Sequence, residues 1–238
     1  MKVLRYNEFD LIDTTALKYI DGDITFREFE NYLNVEILNE SLADLGSFIK
    51  EKILNVLNTF LVKAAQIGFK VIEKFKTIFT WIINTVSKWK EKHPVLYKVI
   101  LITLITIILL MVSASSAYAQ STGKPVEPAQ INVAIGWLEL LKGKTDIDVI
   151  EVNKAIAHLI DLKDGTIEIT ELGDKAIQIA DSALETSGKM IDEAKTGLDK
   201  GDESIAKMCL NLMEKGSQYV SAFYSKIQDT ETVKLTMK

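Results

Sequence analysis

The chain has 238 residues, 47% of them hydrophobic and 26% charged, with a formal net charge of −5, two histidines and one cysteine. One cysteine excludes an intramolecular disulfide framework. Two dispersed histidines and that cysteine give no metal-site spacing. The net charge conceals a pattern: residues 1–49 hold four Lys/Arg against ten Asp/Glu, residues 50–98 ten against three, and residues 99–238 fourteen against twenty.

Residues 1–35 read as short helices around a turn. Asp21-Gly22-Asp23-Ile24-Thr25-Phe26-Arg27-Glu28 is echoed by Asp164-Gly165-Thr166-Ile167-Glu168-Ile169-Thr170-Glu171. Both look like the second half of an EF-hand calcium loop. With the glycine in the sixth position, however, the first and third ligand positions hold Leu17 and Tyr19, or Ile160 and Leu162. Too few oxygens remain for a calcium cage. A tight turn feeding a helix is expected instead, with Thr25 and Glu28 as a capping box and Thr170 capping the later helix.

Residues 36–94 predict a long amphipathic helix, or a hairpin folded near Gly68. An eleven-residue repeat aligns Leu38, Leu42, Leu45, Ile49, Ile53, Val56, Phe60, Ala64, Ile67, Val71, Phe75, Ile78, Ile82, Val86 and Trp89 on one stripe. Eleven residues in three turns hardly drift around a straight helix. Asn55, Thr59, Lys63, Gln66, Lys70, Lys74, Thr77, Asn84 and Lys88 form the expected polar face. If continuous, the helix is about 85 Å long. So wide a stripe must be buried: against copies of itself, in a membrane interface, or in the core of a helical domain. Lys70, Lys74, Lys76, Lys88, Lys90, Lys92 and Lys98 are the candidate lipid-facing basic residues. Such charges are drawn to anionic lipid, which ranks ahead of nucleic acid because they adjoin a membrane segment.

That segment is 95–119. Val99 to Gly123 carries no charge, and Val99 to Val112 is strongly apolar. A spanning helix needs roughly 20 such residues. The lysine-rich flank precedes it, so the N-terminal side is expected in the cytoplasm and the C-terminal side periplasmic or extracellular. Ala117-Tyr118-Ala119 before Gln120 matches an A-x-A cleavage pattern, so the segment reads as an anchor or as an internal signal. An uncleaved anchor is preferred. A buried helix of a soluble protein is least favoured, because the run has no polar face.

Residues 120–130 form a linker containing Pro125 and Pro128. Residues 131–228 show four helical patterns and predict a four-helix-bundle-like extracytoplasmic domain. The third runs from Thr170 to Leu198 and the fourth from Ile205 to Ile227. A loose tail, 229–238, closes the chain. Cys209 and His158 read as helix-borne structural residues.

The opening Lys2-Val-Leu-Arg-Tyr-Asn-Glu-Phe and the later Leu38-Asn-Glu-Ser-Leu-Ala-Asp-Leu resemble N-terminal stretches of structural proteins from large tailed bacteriophages. The resemblance covers under twenty residues. It implies a virion or host-membrane role without enzymatic activity.

The expected fold is all-α: a long amphipathic segment, one transmembrane helix and a C-terminal helical bundle. No catalytic motif and no cofactor site stands out. The expected function is that of a single-pass bacterial inner-membrane protein of structural or interaction type. Its partners would be the bilayer, further copies of itself and an unidentified protein, with neither nucleic acid nor a small-molecule substrate. A membrane-permeabilising or ejection protein of phage type is the first alternative. A precursor cleaved after Ala119 to release a secreted helical domain is the second.

Overall fold

A computed structural model of the chain describes residues 13–34, 48–144, 149–165 and 200–236, with single positions at 178, 185 and 189. All regular structure among the described residues is helical. The α-helices are α1 (Thr14–Asp21), α2 (Phe26–Asn34), α3 (Asn55–Ile67), α4 (Lys70–Val86), α5 (Pro94–Ser121), α6 (Pro128–Lys144), α7 (Val149–Lys163) and α8 (Lys200–Thr236). A π-helical stretch, Ile49–Leu54, leads into α3, and a 3-10 turn, Ser87–Trp89, follows α4.

The 36–94 segment is folded back rather than continuous. Gly68 takes φ 68° and ψ −147°, a backbone region open essentially to glycine alone. The rings of Phe60 and Phe75 consequently meet with centroids 5.1 Å apart. In an unbroken helix, fifteen residues would separate them by about 22 Å. Ile49, Ile53, Val56, Phe60, Val71, Phe75, Ile78, Ile82 and Val86 are all fully buried in the chain's own interior. Ile67 and Trp89 are half-buried, and Leu38, Leu42 and Leu45 lie outside the described residues.

Side-chain contacts fix the helix directions. Leu61 of α3 and Leu110 of α5 converge on Gly216 of α8, while Gly68, just past α3, meets Tyr118 near the end of α5. Thus α3 and α5 run parallel. Cys209 of α8 lies beside Thr103, and Tyr224 bonds Ser113, so α8 also runs parallel to α5. Phe75 and Phe79 of α4 pack on Trp137 of α6 at 5.5 and 5.9 Å. Phe69 and Ile72 share a cleft with Gln130 and Val133, so α4 and α6 run together in the opposite sense. One continuous apolar core links α1 through α8.

α5 lies at the centre. Pro94 occupies its first turn, where the missing N–H costs nothing. A helix apolar all round must be covered, and here α3 and α8 make its most extensive contacts. α6 and α7 pack chiefly on each other, and α8 lies along α5 and α3. The third C-terminal pattern, Thr170 to Leu198, falls outside the described residues apart from the three single positions. α8 continues to Thr236, so the expected tail from residue 229 is helical.

α1 and α2 roof the face of α3 that its pattern marks as polar. Asp13 caps α1, its Oδ1 accepting from the N–H groups of Thr15 and Ala16 at 2.8 Å each. Its own N–H donates to Thr59 Oγ1 at 2.8 Å, and Tyr32 donates to its Oδ2 at 2.6 Å. Lys63 is buried and reaches both carboxylate oxygens of Asp21, at 2.8 and 3.1 Å. Thr59 and Lys63, expected on a solvated face, are thus interior residues because each meets a polar partner there.

Candidate functional site

The calcium-like turn is a structural joint. Thr25 N–H and Oγ1 both donate to Glu28, and Glu28 N–H donates back to Thr25 Oγ1, which completes the capping box. Those bonds hold the Glu28 carboxyl below its ordinary range. Asp21 is engaged by Lys63. Beyond Gly165, the second such sequence lies outside the described residues. Among the described residues, no three His, Cys, Asp or Glu side chains converge as a metal site would require. His158 lies 4.0 Å from Asp161 on the same helix. A cleft of about 180 Å³ between α4 and α6 is lined by Phe69, Ile72, Glu73, Glu127, Gln130 and Val133. Ligand pockets generally start at roughly 300 Å³.

The feature that sets this molecule apart is α5 and its cover. α5 is the one helix among the described residues long and apolar enough to cross a membrane, with a mean hydropathy of 2.7 over its most apolar window. Its 28 residues span about 42 Å, against roughly 30 Å for a hydrocarbon layer. Yet 89% of that window is buried by neighbouring helices.

The cover has a small-residue inner face and a charged outer face. Ala206, Cys209, Gly216 and Ser217 are buried against the core. A β-carbon at Gly216 would lie 2.9 Å from Leu61 and 3.2 Å from Leu110. Burial pushes the Cys209 thiol up to about 12. Tyr224 donates to the carbonyl oxygen of Ser113 and accepts from its hydroxyl, each at 3.0 Å. Outside, Lys207 pairs with Glu203 at 2.6 Å, and Glu214, Lys215 and Gln218 are exposed. Glu214, Lys215 and Gln218 flank Gly216, which faces Leu110 and Ile107 in the apolar run of α5. A charge at such depth in hydrocarbon costs at least about 3 kcal/mol. α5 itself carries buried hydroxyls at Thr106, Ser115 and Ser116 that have no hydrogen-bond partner among the described residues.

The basic residues divide. Lys70, Lys76, Lys88, Lys90, Lys92 and Lys98 are exposed. Lys74 is half-buried, donates to the Tyr19 carbonyl at 2.9 Å and lies 5.5 Å from the Tyr19 ring centroid. It thus fastens α1 to α4. Ala117 and Ala119 are buried within the last turns of α5, and Gln120 is half-buried beside them. The A-x-A pattern is therefore helical and covered in this fold.

The sequence reading missed the Gly216 junction, the Tyr224–Ser113 bond and the Lys63–Asp21 pair. A usable signal existed for the first: the small residues Ala206, Cys209 and Gly216 recur at spacings of three and seven, as on one helix face that meets another helix closely. Comparisons with protein-family models, with curated proteins and with solved structures find no match to this chain. The two stretches that resemble phage proteins lie outside the described residues.

Proposed function

We propose that the chain is a membrane-inserting protein of structural or interaction type, without a catalytic role, that holds its spanning helix sheathed until it meets a bilayer. The observation that carries this reading is the contrast within one helix pair. α5 is uncharged from Val99 to its end at Ser121, while the helix alongside it turns Glu203, Lys207, Glu214 and Lys215 outward. One of the two must leave before α5 can enter hydrocarbon. In the inserted form, α8 releases α5, the lysine-rich side stays cytoplasmic, and residues 131–228 gather outside as a helical bundle. The stripe faces that are buried against α5 here then become available to further copies of the chain.

Cys209 supplies the test, because it is the one thiol and it faces α5. Full-length protein is treated with a maleimide in solution and with vesicles, and vesicle-bound chains are digested with protease. The expected result is slow labelling in solution, fast labelling on vesicles and protection of a fragment containing residues 95–119. A vesicle-bound chain with Cys209 still shielded and α5 digested overturns the reading.

A second reading, membrane permeabilisation, draws on Thr106, Ser115 and Ser116. Unpaired hydroxyls on a spanning helix suit contact with other helices or a water-lined path. Release of an entrapped dye at low protein-to-lipid ratio supports it, and tight vesicles around inserted protein exclude it.

A further inference from the structure

We infer that the end of the bundle where α4 gives way to α5 is a docking surface for anionic phospholipid headgroups, which brings α5 to the bilayer N-terminus first. This rests on the membrane reading above and names the partner and the point of entry. The 87–98 turn exposes Lys88, Lys90, Lys92 and Lys98 against one acidic residue, Glu91. α6 adds one exposed cation, Lys142, and one exposed anion, Glu139. α4 and α6 run parallel with Phe79 stacked on Trp137, so exposed Lys142 stands level with the last turns of α4.

The same end carries an aromatic cluster. Phe48 packs against Trp81 and Trp89 with ring centroids 6.1 Å away in each case, and all three remain partly exposed. Tryptophan beside lysine is the composition of a membrane–water interface: the ring sits at headgroup depth and the ammonium groups reach phosphate. The N-terminal dipole of α5 adds positive potential at this end. A nucleic-acid surface would need the same charge, but the partly exposed tryptophans form a packed cluster rather than separate platforms for bases. Lipid is therefore the occupant this surface fits.

The test is flotation of the full chain with vesicles of phosphatidylcholine alone, or with one-third phosphatidylglycerol, at low and at physiological salt. Anionic vesicles should bind at least tenfold more protein, and salt should weaken binding. The triple variant K88E/K98E/K142E, altered only at exposed positions, should lose most of that preference while keeping its circular dichroism spectrum. The tryptophan emission shift on binding should vanish in W81F/W89F. Equal binding to neutral vesicles, unchanged binding of the triple variant, a shift that persists from Trp137, or stronger binding to duplex DNA overturns the inference. Docking on anionic vesicles with Cys209 still shielded keeps this inference and overturns the insertion reading. Insertion that ignores lipid charge does the reverse.

Discussion

The phenol of Tyr224 and the hydroxyl of Ser113 lie 3.0 Å apart although 111 positions separate them in the chain. The same phenol donates to the Ser113 carbonyl. A helix backbone oxygen is thus drawn into a side-chain bond in the middle of an apolar helix, and both ends of the contact are buried. Tyr224→Phe strips two hydrogen bonds at once and leaves a buried hydroxyl without its partner. Loss of about 1–3 kcal/mol is expected, read as a lower urea midpoint. Maleimide labelling of Cys209 should speed up with it. A lower midpoint with unchanged labelling would detach this bond from the seating of α8.

Gly216 makes a sharper case, since its neighbours belong to two different helices. Gly216→Val forces branched carbons into the space held by Leu61 and Leu110. Overpacking of this kind costs typically 1–3 kcal/mol. If α8 is the removable cover, Gly216→Val should increase vesicle binding while lowering stability in solution. Reduced vesicle binding would count against release of α8 as the opening step.

The Lys63–Asp21 pair is unequal. The Lys63 side chain is 10% exposed and that of Asp21 46%. Asp21→Asn takes a paired carboxylate away from a buried ammonium, whereas Lys63→Met leaves a carboxylate that can turn to water. Asp21→Asn should therefore be the more destabilising, by about 1–3 kcal/mol, and Lys63→Met close to neutral. Denaturant midpoints in the opposite order would mean that the pair is not buried as described.

Cys209 gives a pH signature. Its thiol is raised from 9.0 to about 12 by burial. Above pH 9 the unfolded chain loses this proton and the folded chain keeps it, so stability falls as pH rises between these values. The slope is about 1.4 kcal/mol per pH unit. Cys209→Ala removes this component. The stability difference between wild type and variant should shrink from pH 8 to pH 10.5, and a constant difference would show that the thiol is not shielded.

Local features were readable in advance and distant pairings were not. The Thr25–Glu28 box rests on residues close in sequence, so spacing alone exposed it, whereas Gly68 left a hairpin open beside a continuous helix. The apolar run of α5 was equally plain. What covers it was not, because apolar periodicity says that a face is buried without saying against what. Thr59 and Lys63 failed for a related reason: a polar residue on a helix reads as solvated unless its partner is known, and Asp13 and Asp21 lie more than 40 positions away. The lysines from 70 to 98 looked alike, and only Tyr19 singles out Lys74.

The parallel seating of α8 on α5 has a consequence for synthesis. α8 begins about 80 residues after α5 ends, and at about 5–20 residues per second the ribosome needs several seconds to make that length. During that interval, α5 has left or is leaving the exit tunnel while its cover does not yet exist. On the insertion proposed above, a bilayer and the chain's own C-terminal helix would compete for the same surface during that period, and the bilayer would have the first opportunity. The balance between sheathed and inserted molecules would then be a matter of elongation speed and of distance from a membrane, as well as of the free energies of the finished folds. Slowing elongation between residues 121 and 200 lengthens that opportunity without changing a single contact in the protein.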